Sequence, residues 1–128
     1  MKKNIAFLFL RVGLGVVFLV FGIGKFQNDI WAQTMRTMNF FLALPWDVNI
    51  SVILVGIVEA ITGVALITGL FARFFAGTAA IQLMGILVLL KFEEVRDIGL
   101  LGAAIYIALI YDESLTITLF WKKRNGGV

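Results

Sequence analysis

The sequence predicts an all-α integral membrane protein, a four-helix bundle with an amphipathic interfacial helix between its first and second spans. Three observations carry this. Apolar residues make up 61% of the chain and charged residues only 15%, too few charges to cover a soluble domain of this size. The apolar residues fall into four runs. The 128 residues also accommodate four crossings of about 20 residues each, roughly 80 in all, leaving about 48 for ends and loops.

The first span, about residues 5–25, is apolar from Ile5 to Gly24 except for Arg11, and is bracketed by Lys2, Lys3 and Lys25. A secretory signal peptide also starts with lysines, but its apolar core would not hold an arginine, and no Ala-x-Ala-like cleavage site follows; a retained helix is the expectation. The connection to the next span is the one long link. Within it Trp31, Met35, Met38 and Leu42 recur at helical spacing among polar residues, which predicts an amphipathic helix over about 29–43 in the interface, begun by Asn28 or Asp29 and limited by Pro45. This helix is either a surface connector or a lid over an opening among the spans. The second span, about 50–71, carries only Glu59, and the third, about 73–91, only Gln82 as a strongly polar group. The short link between them, Gly69 to Arg73, makes them antiparallel neighbours. The fourth span, about 94–112, is apolar from Ile98 to Ile110; its start is placed near Glu93 to Arg96, where acidic side chains suit a helix N-terminus. The tail from Leu115 to Trp121 reads equally as interfacial helix or extended segment.

Lysines and arginines near the span ends set the orientation. With the first helix entering from the cytoplasm, Lys2, Lys3, Arg73, Lys122, Lys123 and Arg124 lie inside, against Lys25, Arg36, Lys91 and Arg96 outside. Both termini are therefore expected in the cytoplasm of a bacterial-type inner membrane. Trp46 and Trp121 stand where interfacial tryptophans belong. The net charge of +3 is dispersed among ends and loops, so nucleic acid is not an expected partner.

Composition narrows the chemistry. Without histidine or cysteine the chain has no imidazole for haem or zinc, no thiolate nucleophile and no ligands for an iron–sulfur cluster. No metal site and no intrinsic cofactor are expected, which leaves carboxylates, cations, amides, hydroxyls and aromatics.

Several polar groups lie where lipid should be. Arg11, Gly15, Phe18, Gly22 and Lys25 fall within roughly 40° of one line along the first helix, and the two glycines allow a close helix partner. That face should point into the bundle, although Arg11 alone would also reach the headgroups by snorkelling. Glu59 sits near mid-membrane, where a charged group costs about 2.5–3.5 kcal/mol on insertion scales. Gly56 and Gly63 flank it on one side. Either Glu59 is protonated and bonded to a backbone carbonyl, or it pairs with Arg11, about 9 Å away in depth. Gln82, with Thr78 one turn before it, and Tyr106, which shares a side with Gly99 and Gly102 and is expected at a depth like that of Glu59, either complete a polar cluster or make ordinary interhelical hydrogen bonds. Ala72, Ala76 and Ala80, with Gly99 and Ala103, predict tight helix packing. Glu59 is the candidate catalytic residue; Arg11, Lys25, Glu59, Gln82 and Tyr106 are the candidate ligand-binding set.

Arg11 with Gly15, the run Gly22-Ile-Gly-Lys25-Phe26, Glu59-x-x-x-Gly63 and the turn Gly69-Leu-Phe-Ala-Arg73 together resemble the DoxX-like (DoxX/DoxD) family of small four-helix membrane proteins, over roughly residues 8 to 112. The resemblance implies association with a quinone-linked oxidoreductase, including thiosulfate:quinone-type systems, with quinone as the external cofactor and an oxidoreductase partner subunit. A homo-oligomer is equally open. The expectation is then a subunit whose polar cluster binds a small anionic or quinone-like ligand. The alternatives are a structural or assembly protein without activity of its own, and a small proton-coupled transporter. Arg11 weighs against the last by competing with any cation for Glu59.

Overall fold

A computed structural model describes residues 2–27, 29–89, 95–110 and 124–126. Six helices follow one another: α1 Lys2–Gln27, α2 Ile30–Arg36, α3 Asn39–Leu42, α4 Val48–Thr68, α5 Ala72–Leu89 and α6 Val95–Leu109. No strand occurs among the described residues. The expected fourth-helix start at Glu93, the group Tyr111 to Glu113, the tail residues 115–121, Lys91, Lys122, Lys123 and the Asn28 cap lie outside them.

Helices α1, α4 and α5 are each long and apolar enough to cross a bilayer; α6 is apolar and shorter. The burial pattern is inverted relative to a soluble bundle. Phe9 and Ile81 are 74% and 73% exposed, while Arg11, Lys25, Glu59 and Thr62 are buried. Water would not tolerate that surface, and hydrocarbon would. The protein is a multi-pass membrane protein.

The four long helices form a ring in which α1 packs on α4, α4 on α5, α5 on α6 and α6 on α1. Phe7, Leu14 and Phe18 of α1 meet Leu66 of α4, Ala72, Ala76, Ala79 and Leu83 of α5, and Ala104 and Ile107 of α6 in one core. The small residues Ala72 and Ala76 are fully buried, as tight packing requires, but a Cβ at Gly99 or Gly102 would meet only open space. The closest approach is between α1 and α4. A Cβ built on Gly22 would fall 2.6 Å from the Ala60 backbone N, and one on Gly63 would fall 2.6 Å from Leu19 N and 2.7 Å from Gly15 O. The seven-residue spacing of Gly15 and Gly22 matches that of Gly56 and Gly63, so the two backbones touch at two successive levels.

Asp47 starts α4 by accepting a hydrogen bond from the Asn49 backbone N–H at 3.2 Å. Gly69 ends it in the left-handed conformation, φ 81°, with its N–H bonded to Ala65 O. A Cβ there would lie 2.7 Å from Arg11 Nη1. Replacing Gly69 by Ala therefore combines a backbone penalty of about 1–2 kcal/mol with a clash against a buried guanidinium, and the helical melt of purified protein in detergent is expected to move down by several degrees.

The segment between α1 and α4 is two short helices rather than one. The Thr37 hydroxyl donates to Thr34 O at 2.6 Å, and Thr37 N–H also turns to Thr34 O, which closes α2; Met38 is then extended, φ −100° and ψ 117°, before α3 begins. Asp29 occupies the N-cap position of α2 without a side-chain cap bond. Ala32 and Met35 bury against Val48 and Val52 of α4, with Trp31, Phe41 and Val55 around them. Trp46 donates its indole N–H to Ser51 Oγ at 2.9 Å, fixing the entry to α4.

Candidate functional site

Glu59 finds a cationic partner, and it is Lys25. Lys25 Nζ donates to Glu59 Oε2 in an ion pair whose two side chains are almost wholly buried. This corrects the expected pairing of Glu59 with Arg11. In an α-helix the Cα–Cβ bonds lean toward the N-terminus. From α1 that direction carries the Lys25 ammonium inward, toward mid-bundle, and carries Arg11 away toward the end where α1 begins. From the antiparallel α4 the same lean carries Glu59 toward Lys25. Because Gly15 stands against Gly63 and Gly22 against Gly56, Glu59 lies about 9 Å along the axis from the level of Lys25 and about 12 Å from that of Arg11. The Arg11 guanidinium instead packs on Gly69, where its charge complements the negative end of the α4 dipole.

The ammonium has a second neighbour that sequence reasoning did not assign. Lys25 Nζ lies 4.2 Å from the centroid of the Trp31 ring, and Trp31 itself meets Phe21 edge to face at 6.0 Å. Trp31 belongs to α2, so the interfacial segment reaches down onto the ion pair. Gly56 makes room for the lysine stem, since a Cβ there would lie 3.2 Å from Lys25 Cβ.

A cavity of about 180 Å³ adjoins the pair. Its polar members are Lys25, Glu59, Thr34 and Gln82; Val55 of α4, Gly85, Ile86 and Leu89 of α5, and Trp31, Met35, Met38 and Phe41 of the interfacial segment complete the wall. The segment thus forms one wall of the cavity beside α4 and α5, with three of its four striped residues, Trp31, Met35 and Met38, in that wall. The fourth, Leu42, is exposed.

Gln82 donates through Nε2 to Thr62 Oγ1 at 3.4 Å, and Thr62 donates to Val58 O at 2.7 Å. Thr62 was not among the expected site residues. It follows Glu59 by three positions on the same helical side, which is the signal that would have found it. Thr78 spends its hydroxyl on Phe75 O within its own helix.

The five expected ligand-binding residues are thus divided by the fold. Lys25, Glu59 and Gln82 meet at the cavity; Arg11 and Tyr106 do not. Tyr106 is 44% exposed and packs on Phe7 at 6.3 Å between ring centroids. Phe7 precedes Lys25 by about 27 Å of helix, so Tyr106 stands near the far end of the bundle, because α6 sits lower against α1 than a mid-membrane placement of Tyr106 assumes. Among the described residues no group of histidine, cysteine, aspartate and glutamate is placed to hold a metal ion.

The fold and the site define a class: a small polytopic helix bundle with a buried ion pair beside a cavity among its helices. The chain belongs to the DoxX family, whose model, described as DoxX, matches residues 6–91. Lys25, Trp31, Glu59, Thr62 and Gln82 all lie inside that match, and Tyr106 lies outside it. The chain is also 30% identical over 135 aligned positions to a protein of Bacillus subtilis (strain 168) named "Putative oxidoreductase CatD", an alignment covering 98% of this chain and 95% of the relative. No solved structure matches.

Proposed function

We propose that the protein is a membrane subunit of a quinone-linked oxidoreductase system and that its cavity holds a neutral quinone-like ring. The observation that carries this reading is the cavity beside Lys25 and Glu59. A dry cavity of roughly 150 Å³ is enough to bind benzene. The space here, about 180 Å³, therefore suits one six-membered ring with small substituents and is too small for a dinucleotide or a whole lipid. Charge supports a neutral ligand over an anion. The Lys25 charge is already matched by Glu59, and Arg11 is elsewhere, so an added anion would leave the site with an uncompensated negative charge.

In this reading the apolar wall holds the ring, the Lys25 ammonium polarises a ring oxygen, and Glu59 passes a proton to or from it. The chain has no histidine or cysteine, so a partner subunit exchanges the electrons. The oxidoreductase name of the Bacillus relative agrees with that role. The site lies in a bacterial-type inner membrane with both termini in the cytoplasm. Burial of Lys25 in its ion pair supports that orientation, because it takes one cation out of the outer side of the sequence count.

Gly85 offers a clean test, since it lines the cavity and a Cβ there meets nothing within 4 Å. Gly85→Leu is expected to fill the space without unfolding the bundle. A short-chain quinone such as decylubiquinone at 100 times its dissociation constant should stabilise the wild type by about 2.7 kcal/mol, seen as a raised melting temperature in detergent, and should leave Gly85→Leu unmoved. An equal response in both proteins would remove the cavity from the argument.

A second reading has a specific observation behind it. The ion pair joins the same two helices as the glycine contact, so it also serves as a register pin in an assembly protein without activity of its own. A proton-coupled transporter is less well supported, because Lys25 already occupies the carboxylate that a transported cation would need.

A further inference from the structure

Resting on the ring-binding reading above, we infer that Gln82 is a specificity-determining acceptor, and that the cavity selects a ring bearing a hydroxyl group over the same ring without an O–H donor. The Lys25 ammonium directs one donor to Glu59 and turns toward the face of Trp31, so it keeps at most one further donor for a ring oxygen and offers no acceptor. The Thr62 hydroxyl gives its single proton to Val58 O, and its oxygen therefore receives the Gln82 amide N–H. That fixes which way the amide faces, with the nitrogen toward Thr62. Gln82 Oε1 remains, a buried acceptor with no hydrogen-bond partner.

A buried acceptor left unsatisfied costs about 1–3 kcal/mol, which something in the cavity recovers by supplying a proton. Water is a poor candidate, because a buried water needs two to four polar partners and the cavity that Gln82 lines is walled mainly by apolar side chains. A ligand that joins one O–H to an apolar ring satisfies both demands, and a small turn of the soft terminal amide torsion presents Oε1 to it. The buried group left unsatisfied is the Gln82 acceptor, so a ring that brings an O–H gains a bond that the carbonyl form does not.

The test uses two probes of similar shape, 4-fluorophenol with the donor and 4-fluoroanisole without it, titrated by fluorine NMR against the protein in lipid nanodiscs, with partitioning into empty nanodiscs subtracted. The wild type should bind the phenol at least about ten-fold more tightly than the anisole, and Gln82→Leu should bring the ratio close to one while leaving anisole binding intact. The nearly isosteric Gln82→Met serves if the leucine variant does not fold. Thr62→Val, which frees the amide to rotate, should lower the ratio partway. Equal binding of both probes by the wild type would overturn the selectivity and leave the ring-binding cavity standing. A preference that survives both Gln82 variants would assign it to another group. Failure of both probes to bind would overturn the inference together with the reading it rests on.

Discussion

Lys25→Met is expected to destabilise the protein by about 3–5 kcal/mol, because it leaves the Glu59 carboxylate uncompensated in an apolar interior. In practice most of the variant should be lost on extraction, and the remainder should melt many degrees below wild type in detergent. Replacing both partners, Lys25→Met with Glu59→Leu, removes the charge problem as well as the attraction, and similar volumes preserve packing. The double variant should regain most of the wild-type melting temperature. If it melts as low as the single variant, the pair contributes through something other than charge compensation. The same protein tests the role of the pair in binding. A folded double variant that still responds to a quinone probe would leave the cavity as the ring site and remove the ion pair from it.

Gly63→Leu and Gly22→Leu should do comparable damage by a different route. The atoms a Cβ would strike are backbone atoms of the facing helix, Leu19 N and Gly15 O in one case and Ala60 N in the other, so no rotamer change relieves the clash. The helices must separate, which also draws Lys25 away from Glu59. Overpacking of a side chain alone costs about 1–3 kcal/mol, and a forced backbone separation belongs at or above the top of that range. Gly13→Ala is the control, since nothing lies within 4 Å of a Cβ there; removing a flexible glycine from a helix should leave the melting temperature unchanged or slightly raised. Equal losses at Gly13 and Gly63 would mean that helix propensity, not the α1–α4 contact, governs these positions.

Much of the fold was legible because a span is a one-dimensional property: twenty apolar residues in a row, visible without knowing any neighbour. The shared face of Gly15, Gly22 and Lys25, and the glycines around Glu59, were legible for a similar reason, since helical spacing alone puts them together. The identity of the partner to Glu59 was harder. Depth alone ranks Arg11 and Lys25 closely, and the deciding factor is the lean of each side chain toward its helix N-terminus, which spacing on a helical wheel leaves out. Trp31 over the ammonium was not legible at all. Its position depends on how the chain turns back after Gln27, and no periodicity encodes the direction of a turn. The break after α2 was similarly hidden, because no glycine or proline marks it and the local hydroxyls of Thr34 and Thr37 do the work. Tyr106 was misplaced in depth by treating α6 as centred like its neighbours.

The separation in sequence between Lys25 and Glu59 matters before the bundle exists. Ribosomes deliver about 5–20 residues per second, so the 34 positions between them correspond to about 2–7 s during which a nascent lysine has no carboxylate to meet. Over that interval the first hydrophobic segment must rest with its ammonium among lipid phosphates, and it settles to its final depth only when the second segment emerges. Membrane insertion of this chain is therefore a two-stage event, in which the later segment draws the earlier one into place.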